Sequence, residues 1–347
     1  MYKRYDFAIL LVLLFLSSCN PAGPAVAETP TLLSPTMTAG QTSTPVATST
    51  PVNTSTPVPE TAASNDSSTT GLTQPTIDLA AQSAVVMDAA TGDILYEKNA
   101  HQRMFPASTT KMMTALLALE YFSLDEIIRV GEESNLAWTQ DRMNAQKAGL
   151  FYGQELAMKE LLYGLMLTSG SDAAFTIAAN VARVESGEMF MDDEQALAHF
   201  ADLMNRKASA IGAVETNFTN PDGMQDPNHY TSASDLALIA QYAMQDPRFR
   251  ELVATTAYQT AETVTRTGDI ISRFWENTNR LIQPQDEHYY ASANGIKTGT
   301  TAEAGFCLVS SASFGDTLVI AVVLGSTEEG VWTDSIRLLE FAKDNLS

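Results

Sequence analysis

Strand-forming patterns occupy the two ends of the region after Pro75, and about 200 residues of mostly helical pattern separate them. Residues 83–97, SAVVMDAATGDILYE, predict two strands joined by a turn around Thr91-Gly92-Asp93. Strands return near Gly295–Thr300, Phe306–Ala312 and Thr317–Leu324. Strands drawn from both ends of a domain into one sheet leave the intervening helices as an inserted second lobe. The chain is therefore read as α/β, with a cleft between lobe and sheet as the natural place for a site. No internal repeat is evident.

Within that middle, the run from Ser108 onward is apolar nearly all round, which predicts a helix buried at the domain centre. Met158, Leu161, Leu162, Leu165 and Met166 mark one face of another helix. Further helices are expected at Asp193–Lys207, at Ser234–Gln245 behind a serine cap, and at Trp332–Asn345.

The first 75 residues read differently. Lys3 and Arg4 precede an apolar stretch, Phe7–Leu16, that is too short to span a bilayer as an ordinary helix. Residues 1–19 are thus an export signal, and Leu16-Ser17-Ser18-Cys19 resembles the lipobox of bacterial lipoproteins, whose cysteine is lipidated. Ala25-Val26-Ala27 offers an ordinary cleavage site instead, but far beyond the apolar stretch. From Asn20 to Pro75 the chain holds nine of its fourteen prolines and no Lys or Arg. Such a Thr/Pro/Ser-rich segment cannot bury enough apolar surface to offset its ordering entropy. It is read as a tether spanning about 40 Å as a coil, or about 170 Å as extended polyproline II. The export signal, the tether and a folded domain over 76–347 are the three expected parts.

The formal charge of the chain is −21. Lys3 and Arg4 against Asp6 in the signal, and three acidic residues in the tether, leave about −19 for the folded part. This argues against nucleic acid as a partner, since its binding requires basic side chains against phosphates. Cys307 remains once Cys19 is assigned to the anchor, so it is expected to be a small buried hydrophobe without a disulfide partner. The four histidines show no metal-ligand spacing, and no metal or cofactor is expected.

Ser108-Thr109-Thr110-Lys111 enters the buried helix with a serine and a lysine at i and i+3. An S-x-x-K arises about once by chance in a chain of this length. Ser108 as a helix cap with Lys111 snorkelling to the surface is one reading. The other is chemical: a lysine in an apolar setting near a second cation loses proton affinity and can take the serine's proton. Lys297-Thr298-Gly299 is rarer, expected in about one chain in ten. On a strand Lys297 and Gly299 face one way and Thr298 the other, and Gly299 would let a substrate backbone approach closely. The bland alternative is a strand ending in a Thr-Gly turn. Ser169-Gly170-Ser171 forms a polar break between two apolar helices, which by itself reads as a capping turn.

An S-x-x-K, an S-x-N-like turn and a K-T-G in this order resemble the motif set of penicillin-interacting serine enzymes. The flanks MDAATGDILYEKNAHQRMFPASTTKMMTALLALE, NPDGMQDPNHYTSASDLALIA and GIKTGTTAEAGFCLV are similar to the D-alanyl-D-alanine carboxypeptidases among the low-molecular-mass penicillin-binding proteins. The resemblance runs from about Gln82 to the C-terminus. It implies the β-lactamase and penicillin-binding-protein fold, an antiparallel sheet flanked by helices. It implies that Ser108 is the nucleophile toward D-Ala-D-Ala, Lys111 its general base, and Ser169 a proton relay held between Lys111 and Lys297. Lys297 and Thr298 would bind the terminal carboxylate, and the N–H groups of Ser108 and Thr300 would form the oxyanion hole. Peptidoglycan stem peptides and β-lactams are the implied partners. Ser171 departs from the asparagine usual at the end of the middle motif, and a hydroxyl has shorter reach and no amide donor. The chain stops near Ser347 without the second domain and tail of many relatives, so lipid on Cys19 is the expected membrane anchor.

Two other readings compete. A serine β-lactamase shares the first and third motifs, but no Glu-x-x-x-Asn loop lies between Ser171 and Lys297. A catalytically silent wall-binding homologue rests on Ser171 alone. A Ser-His-Asp hydrolase is disfavoured, since no G-x-S-x-G occurs.

Overall fold

The computed structural model describes residues 76–265 and 267–346. The expected export signal, Cys19, the alternative cleavage site and the whole of the expected tether, residues 20–75, lie outside the described residues. In chain order the elements are β1 (Ser83–Asp88), β2 (Ile94–Lys98), α1 (Lys111–Tyr121), β3 (Ile127–Arg129), β4 (Glu155–Ala157), α2 (Met158–Met166), α3 (Ser171–Ser186) and α4 (Asp193–Ile211). They continue as α5 (Ala233–Ala243), α6 (Pro247–Ala254), β5 (Ala257–Gln259), β6 (Thr263–Val264), β7 (Ile270–Ile271) and β8 (Phe274–Glu276). The last are β9 (Ala293–Thr301), β10 (Gly305–Phe314), β11 (Thr317–Ser326) and α7 (Gly330–Asn345).

Five strands form one antiparallel sheet in the order β2-β1-β11-β10-β9. The N-terminal pair supplies one side and the C-terminal hairpins the other, as expected. Alternation along each strand gives the sheet two faces. Ala84 and Val86 of β1 join Leu308, Ala321 and Val323 beneath Trp332, Leu338 and Leu339 of α7. Val85 and Met87 point to the opposite face, into the larger core with Val309, Val322 and residues of α1, α3 and α5. Residues 111–119 of α1 are all buried, so this helix is the axis of the helical lobe.

The beginning of that helix differs from the expected one. Ala107–Thr110 is a single 3-10 turn, and the α-helix starts only at Lys111. Pro106 ahead of the turn has no amide hydrogen, and Thr109 folds back on it, its N–H and hydroxyl both donating to the Pro106 carbonyl, at 3.2 and 2.7 Å. The expected serine cap of α5 is also displaced: Ser232, not Ser234, accepts from Asp235 N at 3.1 Å. The short ribbons β3–β4, β5–β8 and β6–β7 and the helix α6 had no counterpart in the sequence reading. Cys307 is 2% exposed on β10, and burial pushes its thiol up to about 11. Among the described residues no helix is long and apolar enough to cross a membrane.

Candidate active site

The 3-10 turn decides the first contact. Side chains three apart eclipse in a 3-10 helix, rather than sitting offset as on an α-helix. Ser108 and Lys111 therefore stand one above the other, with Lys111 Nζ 3.1 Å from Ser108 Oγ. The lysine also donates to the Asp222 carbonyl at 2.6 Å. It does not snorkel: Lys111 is 1% exposed inside the core of α1. Burial pulls its amine down to about 8, with Arg142 acting in the same direction and Asp222 and Asp172 opposing. The turn itself is strained, since Ala107 holds φ at +47°.

Lys297 comes from β9, the edge strand of the sheet, and is also 1% exposed. Burial, reinforced by the charge of Lys111, holds it well below the usual lysine range. Its Nζ donates to the Thr298 carbonyl at 3.0 Å and approaches the Thr298 hydroxyl at 3.5 Å. Thr298 and Thr278 share a hydroxyl hydrogen bond of 2.6 Å, and Thr278 N donates to Leu167 O at 3.2 Å. Thr278 thus ties β9 to the chain just before Ser169.

Gly299 sits tight against main chain. A Cβ built there would stand 2.9 Å from Ser108 N, 3.0 Å from Pro106 O and 3.1 Å from Thr109 N. What approaches this glycine is the chain's own turn. Its bareness lets β9 press against the residue that carries Ser108, and Thr300 follows it on the exposed side of the same strand.

Ser169 stands free beside the turn that opens α3. Its hydroxyl, 5% exposed at residue level and on a backbone with φ at +62°, makes no hydrogen bond among the described residues. Lys111 and Lys297 donate to the Asp222 and Thr298 carbonyls, and neither amine hydrogen-bonds Ser169. Ser171 opens α3, is buried, and donates its N–H to Gln146 O at 2.8 Å.

Three supports of this site escaped the sequence reading. Asp172 is fully buried and accepts from Ala148 N and Ala173 N on one oxygen, and from Gly149 N and Leu150 N on the other. It clamps the 146–150 segment beside the Ser169–Ser171 turn. Its signal was an acid in the first turn of an apolar helix, a position that normally serves the helix's own amides. The loop 219–224 is the second. Asn220 Oδ1 accepts from Gly223 N and Met224 N at 2.8 and 3.1 Å, and Thr114 Oγ1 donates to Pro221 O at 2.7 Å. Gly223, at φ +82°, lies so close to the turn that a Cβ would fall 1.9 Å from Ala107 O. His229 is the third. Its Nδ1 accepts from Thr219 N at 3.0 Å, so Nε2 carries the hydrogen toward Thr110 Oγ1, 2.8 Å away. Burial pulls this imidazole down to about 4, and it is neutral.

The arrangement is a buried, lowered lysine amine against a serine hydroxyl, with a second buried lysine, a second serine and an edge strand nearby. That is equipment for nucleophilic acyl transfer. The sequence profile of the D-alanyl-D-alanine carboxypeptidase family matches residues 68–328. The chain is 37% identical over 262 residues to a D-alanyl-D-alanine carboxypeptidase of Streptomyces sp. strain K15, covering 74% of this chain and 84% of that one. It is 33% identical over 264 residues to the Bacillus subtilis carboxypeptidase DacF, covering 76% of this chain and 62% of that relative, less than two thirds of its length. Among solved structures, the Streptomyces K15 DD-transpeptidase superposes with a TM-score of 0.69 at 35% identity, over 78% of this chain and 98% of that one. Penicillin-binding protein 6B of Escherichia coli superposes at 0.66 and 27% identity, over 79% and 81%.

Proposed function

The chain belongs to the D-alanyl-D-alanine carboxypeptidase family, and on that premise we propose that it removes the terminal D-alanine from peptidoglycan stem pentapeptides through an acyl-enzyme on Ser108. Its fold is the antiparallel-sheet architecture of the penicillin-binding proteins it superposes on. The observation that carries the proposal is the 3.1 Å approach of Ser108 Oγ to a buried lysine amine lowered to about 8.

Lys111, once neutral, accepts the proton from Ser108 as the hydroxyl attacks the carbonyl carbon of the D-Ala-D-Ala bond. The oxyanion that forms takes the N–H groups of Ser108 and Thr300, which the Gly299 contact holds at one junction. Lys297 and Thr298 receive the terminal carboxylate. Ser169, whose buried hydroxyl has no competing partner, passes the proton from Lys111 to the leaving amine of D-alanine. Water then hydrolyses the ester and restores Ser108. Ser171 positions substrate where an asparagine is usual in the family.

β-Lactams acylate the same serine, and the enzyme works outside the cytoplasm on cell wall. Lipid on Cys19 holds it to the membrane, and residues 20–75 set its reach from the surface. A transpeptidase reading is favoured by the likeness to the Streptomyces K15 DD-transpeptidase, and differs only in the acceptor, an amine in place of water.

Intact mass after exposure to benzylpenicillin tests the assignment. A stable one-to-one adduct that maps to Ser108 and is absent from Ser108→Ala is expected. No adduct on the wild type overturns the enzyme reading, and rapid nitrocefin turnover favours a β-lactamase.

A further inference from the structure

Charged and titratable groups act on Lys111 from several sides. Asp222 lies on the 219–224 loop, Asp172 on α3, Lys297 on β9, Arg142 in the turn after residue 139, and His229 behind Thr110. Asp172 and Asp222 are both buried, yet they are not equivalent. The four backbone N–H groups on Asp172 spread its charge over a loop and a helix end. Asp222 has one weak acceptor contact, from Met224 N at 3.3 Å, and its Oδ2 makes no hydrogen bond. A buried carboxylate so poorly occupied, on the residue whose carbonyl holds the lysine amine, favours an ammonium over a free base.

One group meets that oxygen. Arg142 Nε stands 3.4 Å from Asp222 Oδ2, with the arginine side chain only 18% exposed and the aspartate 1%. The guanidinium lies over the Phe175 ring at 5.2 Å, and Arg142 pairs on its other side with Asp141. The turn that carries it is fastened by Lys147 Nζ, which donates to Arg142 O at 2.7 Å. Arg142 Nε likewise makes no hydrogen bond, so the contact with Asp222 is one of charge.

We infer that Arg142 is a positioning residue of this active site, whose guanidinium offsets the Asp222 carboxylate so that the 219–224 loop can hold Lys111 by its carbonyl and leave the amine free to act as a base. The inference rests on the general-base reading of Lys111. Arg142 acts through Asp222 and not on substrate. Removing the arginine leaves the carboxylate uncompensated and raises the proton affinity of Lys111. Neutralising Asp222 does the reverse.

The test is the rate of benzylpenicillin acylation from pH 6 to 10, followed by intact mass, for the wild type, Arg142→Met, Arg142→Lys, Asp222→Asn and the double variant Arg142→Met/Asp222→Asn. Arg142→Met is expected to be roughly tenfold slower at pH 7, with the deficit closing toward pH 10. Arg142→Lys recovers most of the rate. Asp222→Asn, nearly isosteric, moves the acid limb to lower pH, and the double variant returns it close to the wild-type position. A loss in Arg142→Met that is equal at every pH, or an Asp222→Asn limb that does not move down, overturns the inference. Those results leave a wild type acylated on Ser108; a wild type that is not acylated at all refutes the functional reading instead.

Discussion

Gly299 and Ser108 touch through backbone. A Cβ on Gly299 would sit 2.9 Å from Ser108 N, and the neighbouring atoms within 3.1 Å are also main chain. Side chains can swing aside, but a strand and a tight turn must separate. Gly299→Ala is expected to lose about 1–3 kcal/mol of stability. It is also expected to slow acylation by about a hundredfold, since a displacement of about 1 Å at a reacting group costs that much. Urea denaturation and penicillin acylation measure the two effects. Wild-type values for both would show that the turn and β9 are not coupled.

Lys111 dictates a pH dependence. With its amine lowered to about 8, the fraction able to accept the Ser108 proton grows as pH rises through that value and saturates above it. The acylation rate is expected to climb with an acid limb near pH 8. Lys111→Arg, which cannot deprotonate, should lose about 10²- to 10⁴-fold. A rate flat between pH 6 and 9 in the wild type would remove Lys111 from the base role.

Asp172 is a structural clamp beside Ser169–Ser171. Asp172→Ala removes the acceptor for Ala148, Gly149 and Leu150 N–H groups at once. Each buried amide left unpaired costs about 1–3 kcal/mol before the loop relaxes, so a net loss of about 3 kcal/mol is expected. Hydrogen exchange at residues 148–150 should accelerate more than in the sheet. Unchanged protection there would contradict the clamp.

The sheet was legible because its strands are long and alternate, with Val85 and Met87 against one core and Ala84 and Val86 against the other. The ribbons β5–β8 and β6–β7 have strands of two or three residues, too short to show a period. Thr231-Ser232-Ala233-Ser234 offers two serines as caps, and only the geometry selects Ser232. Residue types announced Ser108, Lys111, Ser169 and Lys297, because proton transfer demands hydroxyls and amines. Asp222 was silent, since its contact with Lys111 is made by a backbone carbonyl that any residue possesses. Gly299 showed that something must come close, but its sequence could not say whether substrate or the Ser108 turn would do so.

His229 should leave its mark on stability. It is 2% exposed and neutral in the fold, lowered to about 4, whereas an unfolded chain takes up the proton near 6.5. Between those values the unfolded state binds more protons, so stability falls as pH drops from about 6.5 to about 4 and the effect ends below that. The contribution lost is about 3 kcal/mol. Comparing urea midpoints of the wild type and His229→Gln across pH 4 to 7 isolates it. Parallel curves for the two proteins would show that His229 is not the titrating group.

Ser108, served by Lys111, is expected to open a D-Ala-D-Ala bond. The direct measurement is release of D-alanine from a peptide ending in D-Ala-D-Ala by the wild type and by Ser108→Ala. Release by the wild type and none above background by the variant is the expected result. Equal release by both would contradict the account and place the nucleophile elsewhere.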